Sequence, residues 1–223
     1  MTKENIDIEN NIIPAVKALA KKYNAIEKTT LNRMRTKPDA YKILISCLLS
    51  LRAKDETTEK ISEELYKIAD KPQEILDLPT EQLEKIIFST GHYRKKAQTL
   101  KHVSKELIEK FDSKVPETRE ELMSIKGIGP KTANIVLAFA FGVPVIAVDV
   151  HVHVCANRLG WIKTKNPEES EWELYKIIPK KYWLNLNAIL VQFGRDICDT
   201  RSPKCSICPV KHLCPRIGVT RSR

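Results

Sequence analysis

The segment Leu122-Met-Ser-Ile-Lys-Gly-Ile-Gly-Pro-Lys-Thr-Ala-Asn134 sets a lysine, Lys131, directly behind Gly127-Ile128-Gly129 and Pro130. Proline suits a first helical position, where its missing N–H would have no partner anyway, so a helix is expected to start at Pro130. Lys131 then falls in a first turn whose following residues are mostly apolar. Partial burial and the positive end of the helix dipole both disfavour the ammonium form there. A lysine with a lowered pKa is an amine nucleophile and a Schiff-base former. Any one lysine in a first turn is usually just exposed, but this is a poor place for a positive charge and asks for a reason. The two glycines permit positive φ and close approach of a ligand to the main chain. Their N–H groups, beside a helix N-terminus, form a ready phosphate site. Ile128 between them is expected to plug the turn into the core. Glycine is common in ordinary helix–helix turns, so Gly-x-Gly alone is weak evidence. Together with Lys131 and a short preceding helix, the segment reads as a helix-hairpin-helix, which grips DNA phosphates without reading sequence.

Eighteen residues after Lys131 comes Asp149, between the apolar run Val143–Val148 and a helical stretch. N-capping is its plain assignment, and a capping carboxylate can also serve chemistry. His151 and His153 lie two apart, wrong for one helical face, and read as structural or DNA-proximal rather than metal ligands. Near the C-terminus the cysteines run Cys198-x6-Cys205-x2-Cys208-x5-Cys214. Four closely spaced thiols in a reducing compartment point to a metal site. Zinc and iron–sulfur both use four cysteines, and spacing alone leaves the two open. Cys47 and Cys155 sit in apolar helical contexts and are expected as buried thiols.

Almost every segment reads as helix, so the fold class is all-α. From His92 to Phe111 the apolar residues Tyr93, Ala97, Leu100, Val103, Leu107 and Phe111 step by three and four, with lysines between, as in an amphipathic surface helix. Ala40 to Leu51 and Ala133 to Phe141 are apolar nearly all round and are expected at the centre. Thr118 with Glu121 forms a capping-box pattern, and Thr80 after Pro79 opens EQLEKII. Val143–Val148 lacks an alternating partner strand and is taken as an extended connector. The 223 residues carry 38 Lys and Arg against 28 Asp and Glu, a net charge of +10, which favours a polyanionic partner. The longest apolar stretch, Ala133 to Val148, is interrupted by Asn134, Gly142 and Pro144, too broken to span a bilayer. The polar N-terminus does not resemble a signal peptide. An intracellular protein without a membrane partner is expected.

These residues also resemble a known family. IKGIGPKTANIVL, IAVDVH, FGRDIC and the cysteine tail resemble endonuclease III of the helix-hairpin-helix (HhH-GPD) glycosylase superfamily, and LLSLRAKD resembles its LLSAQATD. The likeness runs from about residue 30 to Cys214 and implies a [4Fe–4S] cluster on Cys198, Cys205, Cys208 and Cys214. It implies Lys131 as nucleophile, Asp149 as catalytic carboxylate, and DNA contacts from Lys126, Gly127, Ile128 and Gly129. The implied fold is two helical lobes flanking a DNA cleft: a six-helix barrel over 33–143, with the hairpin at about 118–141, and a discontinuous lobe of 1–32 plus 144–223 carrying the cluster at 198–214. The implied activity is base excision of oxidised pyrimidines from duplex DNA, with AP-lyase strand nicking. The chain would act as a monomer in the cytoplasm, on the nucleoid. Arg52 stands where the family often has a gap-filling Gln, and His92 where it has a Leu wedge. Val150 and Val154 replace a common Thr and Arg. These departures bear on lesion and opposite-base preference. The alternatives are a monofunctional T/G or U/G mismatch glycosylase, which typically lacks the lysine, and a non-catalytic DNA-binding module; Lys131 and the Lys131–Asp149 pair argue against them respectively.

Overall fold

Every regular element is helical among the residues that the computed structural model describes, namely 11–23, 34, 35, 37–51 and 53–223. In chain order the α-helices are α1 (Ile13–Lys22), α2 (Ala40–Ser50), α3 (Asp55–Tyr66), α4 (Pro72–Asp77), α5 (Thr80–Ile87) and α6 (Tyr93–Phe111). They continue with α7 (Arg119–Ser124), α8 (Pro130–Ala140), α9 (Val150–Arg158), α10 (Pro167–Ile177) and α11 (Trp183–Asp196). The chain divides into two compact units, Glu27–Val143 and Met1–Ile26 with Pro144–Arg223.

In the unit Glu27–Val143, the two helices without a polar face pack against each other. Tyr41 and Ile43–Leu49 of α2 are buried, and so is every residue of α8 from Thr132 to Phe139. Each buried Leu or Ile contributes roughly 1.5–3 kcal/mol relative to exposure, which is why these two segments stand at the centre. Asp39 starts α2 by accepting a hydrogen bond from Lys42 N at 3.0 Å. On α6, Ala97, Leu100, Val103 and Leu107 are fully buried, while Tyr93 and Phe111 at the ends of the stripe are partly exposed. The helix begins one residue later than the pattern suggests, because His92 takes a left-handed conformation at φ 49° and caps it. Lys101 on the same helix reaches down to the carbonyls of Leu76 and Leu78 at 2.9 and 2.5 Å and so closes the C-terminus of α4. At α5, Pro79 rather than Thr80 is the capping residue, and Thr80 is already helical.

In the unit formed by Met1–Ile26 and Pro144–Arg223, α9 packs on α10 and α11, and α1 packs on α11. Leu19, Tyr23, Val152, Cys155, Leu190 and Phe193 form its buried centre. The connector before α9 is not a strand. Its backbone is satisfied by side chains instead: Ile146 N donates to Tyr175 Oη at 3.0 Å, and Asn187 Nδ2 donates to Ala147 O at 2.8 Å. No helix among the described residues is long and apolar enough to cross a membrane.

Candidate active site

The hairpin is built from its caps inward. Thr118 Oγ1 accepts from Glu121 N at 3.3 Å and bonds the Glu121 carboxylate at 2.7 Å, which fixes the start of α7. Ile125 O then accepts from Ile128 N at 3.1 Å and closes the turn. Gly127 sits at φ +107°, and a Cβ there would meet Thr99 Cγ2 at 2.8 Å, so both backbone and space require glycine. Gly129 differs from expectation. Its φ is −96°, a conformation open to any residue, and a Cβ there would meet nothing within 4 Å. It caps α8 with bare backbone, which leaves the helix N-terminus uncovered. Ile128 is 5% exposed, plugging the turn into the core as expected, and its N–H donates to Ile125 O. The N–H groups of Gly127 and Gly129 donate to no group among the described residues, and Lys126 is exposed beside them. The hairpin therefore carries two glycine amides and the exposed Lys126 side chain on its surface.

Lys131 is half-buried at the second position of α8. It lines a pocket with Leu48, Ser50, Leu51, His92, Lys95, Lys96, Thr99 and Gly127, a concave surface whose ionisable side chains are all basic. Its charge acts on the Cys47 thiol beneath: burial raises the Cys47 pKa, and Lys131 and a Thr132 hydrogen bond pull the other way. His92 is exposed at the rim, held in its left-handed conformation. Arg52 lies outside the described residues. Lys96 was not singled out by the sequence, yet it is 8% exposed in this pocket. The signal was present: Lys96 falls three residues after Tyr93 and four before Leu100, on the apolar face of α6.

Asp149 caps α9, with Oδ1 accepting from His151 N at 2.9 Å and Val152 N at 3.0 Å. Val150, beside it, is 55% exposed, an apolar side chain held in solvent next to a carboxylate. The histidines are structural. His153 Nδ1 lies 2.7 Å from Ser170 Oγ, and the His151 ring packs where a Cβ on Gly194 would stand 2.7 Å from Nδ1. Glycine in the FGRDIC segment is thus explained by close approach of α9 to α11.

Cys198, Cys205, Cys208 and Cys214 line one small cavity together with Leu159, Phe193, Ile197 and Val219. Arg158 spans its wall. Its Nη1 is 3.7 Å from Cys198 Sγ and donates to the carbonyls of Cys198 and Asp199 at 3.1 and 2.7 Å. Its own carbonyl accepts from Cys214 Sγ at 3.3 Å. A hydrogen bond from Cys155 and then the Arg158 guanidinium hold the Cys198 thiol below the usual thiol range, while burial pushes Cys208 and Cys214 up. No group of three or more His, Cys, Asp or Glu side chains that could hold a metal ion occurs among the described residues. The four thiols share their cavity wall with the Arg158 guanidinium, a cation that can balance thiolate charge.

The family described as HhH-GPD superfamily base excision DNA repair protein matches residues 45–180. Endonuclease III of Thermotoga maritima is 43% identical over 182 residues, covering 82% of this chain and 85% of its own. The chain belongs to the endonuclease III family. A solved endonuclease III–DNA covalent intermediate, trapped in an estranged-adenine complex, superposes with a TM-score of 0.85 at 34% identity, covering 97% of each chain. A thermostable thymine-DNA glycosylase superposes with a TM-score of 0.83 at 25% identity, over 95% of this chain and 97% of that one. As a member of the endonuclease III family, the protein is a base excision repair DNA glycosylase and AP lyase that acts on DNA.

Proposed function

We propose that Lys131 is the nucleophile of this glycosylase/lyase and that its substrates are oxidised pyrimidines in duplex DNA. The observation that carries this is the placement of Lys131: half-buried, in the first turn of an apolar helix, in the pocket that Gly127 also lines. Phosphates held by the Gly127 and Gly129 amides would fix the backbone next to this amine without reading sequence. A damaged nucleotide is extruded from the stack, at least cost where pairing is already weak. The Lys131 lone pair attacks C1′, and the glycosidic bond breaks with its electron pair leaving on the base. The sugar ring opens to an imine. Loss of a 2′ proton then expels the 3′ phosphate by β-elimination, which nicks the strand. Asp149 is assigned the carboxylate role of accepting the amine proton and stabilising positive charge on the sugar.

The four cysteines are assigned to a [4Fe–4S] cluster, supported by their spacing and by the cavity they share. When bound, the cluster supplies cross-links that hold the 198–214 loop; no step of the base excision is assigned to it. The setting proposed for the reaction is inside the cell, on genomic DNA, with the protein acting as a monomer.

Borohydride trapping tests the nucleophile. Wild-type protein should yield a stable covalent adduct with lesion duplex, and Lys131→Gln should yield neither adduct nor nick while still binding DNA. Release of base by the wild type with no trapped adduct would overturn the assignment of Lys131.

A further inference from the structure

Lys96 donates two short hydrogen bonds from one buried ammonium group: to Leu49 O at 2.7 Å and to Thr90 O at 2.7 Å. These carbonyls belong to different segments, 41 residues apart in sequence: Thr90 lies six residues before Lys96, in the turn that leads into α6, and Leu49 lies 47 residues before it, in α2. Leu49 is in the last turn of α2, where carbonyls have no partner within the helix and favour a cation. The residues that follow it lead directly into Arg52. Thr90 ends a 3-10 turn at Phe88–Thr90 and is followed by Gly91 at φ 68° and His92 at φ 49°. A non-glycine residue in that left-handed region is strained and persists only where its surroundings hold it. No carboxylate pairs with Lys96 among the described residues, although burial lowers its pKa to about 8. A buried lysine ammonium without an anionic partner is rare and asks for a reason.

We propose that Lys96 is a positioning residue that ties the last turn of α2 at Leu49 to the Thr90–His92 turn, so that His92 is held in the pose it presents to a damaged duplex. This rests on the reading, drawn from family resemblance, that the His92 turn faces DNA. Lys96 touches neither base nor sugar in this role. It acts through the backbone, by tying the end of α2 to the His92 turn. Half of the arrangement is insufficient: a group that bonded Leu49 O alone would leave the His92 turn free to relax from its left-handed conformation.

The test uses a duplex carrying a tetrahydrofuran abasic analogue opposite the fluorescent base 2-aminopurine, whose emission reports occupation of the gap. Lys96→Met removes both donors while keeping most of the side-chain volume; Lys96→Arg restores two donors in a different fork. Lys96→Met should keep affinity for undamaged duplex within about twofold, since phosphate contacts are elsewhere. It should lose most of the 2-aminopurine response, and single-turnover base release should fall at least about tenfold, with KM changed less than kcat. Lys96→Arg should recover part of the response. An unchanged response and rate in Lys96→Met would overturn the proposal. So would a parallel loss of melting temperature, undamaged-duplex binding and response that Lys96→Arg does not relieve, because that marks a merely structural lysine. If Lys96→Met does not fold, the same comparison is read on Lys96→Gln. A His92→Ala variant separates the two ideas. If it leaves the 2-aminopurine response intact, the DNA-facing reading of the His92 turn fails; if it abolishes the response and the Lys96 variants do not, only the positioning role fails.

Discussion

Asp149 caps α9 through one carboxylate oxygen, so substitutions there separate capping from chemistry. Asn is as good an N-cap as Asp, whereas Ala loses the bond to both amides at a cost of about 1 kcal/mol. Asp149→Asn should therefore melt within a few tenths of a kcal/mol of wild type in urea titrations, since the cap is kept and the charge near the helix dipole is lost. Asp149→Ala should be less stable by about 1 kcal/mol. Both should release base far more slowly in single-turnover assays. Wild-type rates in a folded Asp149→Asn protein would leave Asp149 a cap and nothing else. Lys131 and Asp149 could be singled out in the sequence because a lysine in the first turn of an apolar helix and a carboxylate at a helix start are local patterns.

At the scale of the element, the two hairpin glycines should behave differently despite their symmetry in the sequence. Gly127→Ala forces a side chain into positive φ and against Thr99, and should cost about 1–3 kcal/mol while weakening duplex binding. Adding Thr99→Ala removes the 2.8 Å contact but not the backbone strain, so the double variant should recover only part of the loss. Gly129→Ala meets nothing and has an ordinary φ, and a Gly-to-Ala change at an N-cap should cost less than about 1 kcal/mol. Equal destabilisation of the two in thermal melts would contradict the asymmetry. Lys126, exposed beside the turn, should act on phosphate alone: Lys126→Ala should lower the slope of log affinity against log salt by about one. The hairpin and the burial of Ile128 were visible in the sequence, but the ordinary φ of Gly129 and the partner of the Ile128 amide were not, because φ angles and amide partners depend on how the turn closes.

For the molecule as a whole, the net charge of +10 predicts salt-sensitive binding to any duplex, damaged or not. The C-terminal loop makes a separate prediction. Between Cys198 and Cys214 regular structure is limited to two short 3-10 turns, Cys205–Ile207 and Lys211–Leu213, too little to order the loop unaided. Purified protein should hold about four irons per chain and absorb broadly in the visible. Cys198→Ser or Cys205→Ser should abolish that absorbance and lower the melting temperature, since cluster binding supplies folding energy to the loop. Anaerobic protein with one zinc and no iron would overturn the assignment.

The sequence by itself determined what local patterns encode. Residues apolar all round placed α2 and α8 in the interior, Thr118 with Glu121 marked the start of α7, and Asp149 marked the start of α9. The absence of a partner pattern for Val143–Val148 denied it a strand. Only the tertiary structure decided which polar groups meet across long separations. It buried Lys96 against carbonyls from two other segments, set Tyr175 and Asn187 on the connector backbone, laid Arg158 along the cysteine cavity and pressed His151 against Gly194. The reason is physical. Periodicity and capping depend on neighbours within a turn or two, whereas a buried polar group must find a partner wherever packing brings one, and no local pattern records where that will be.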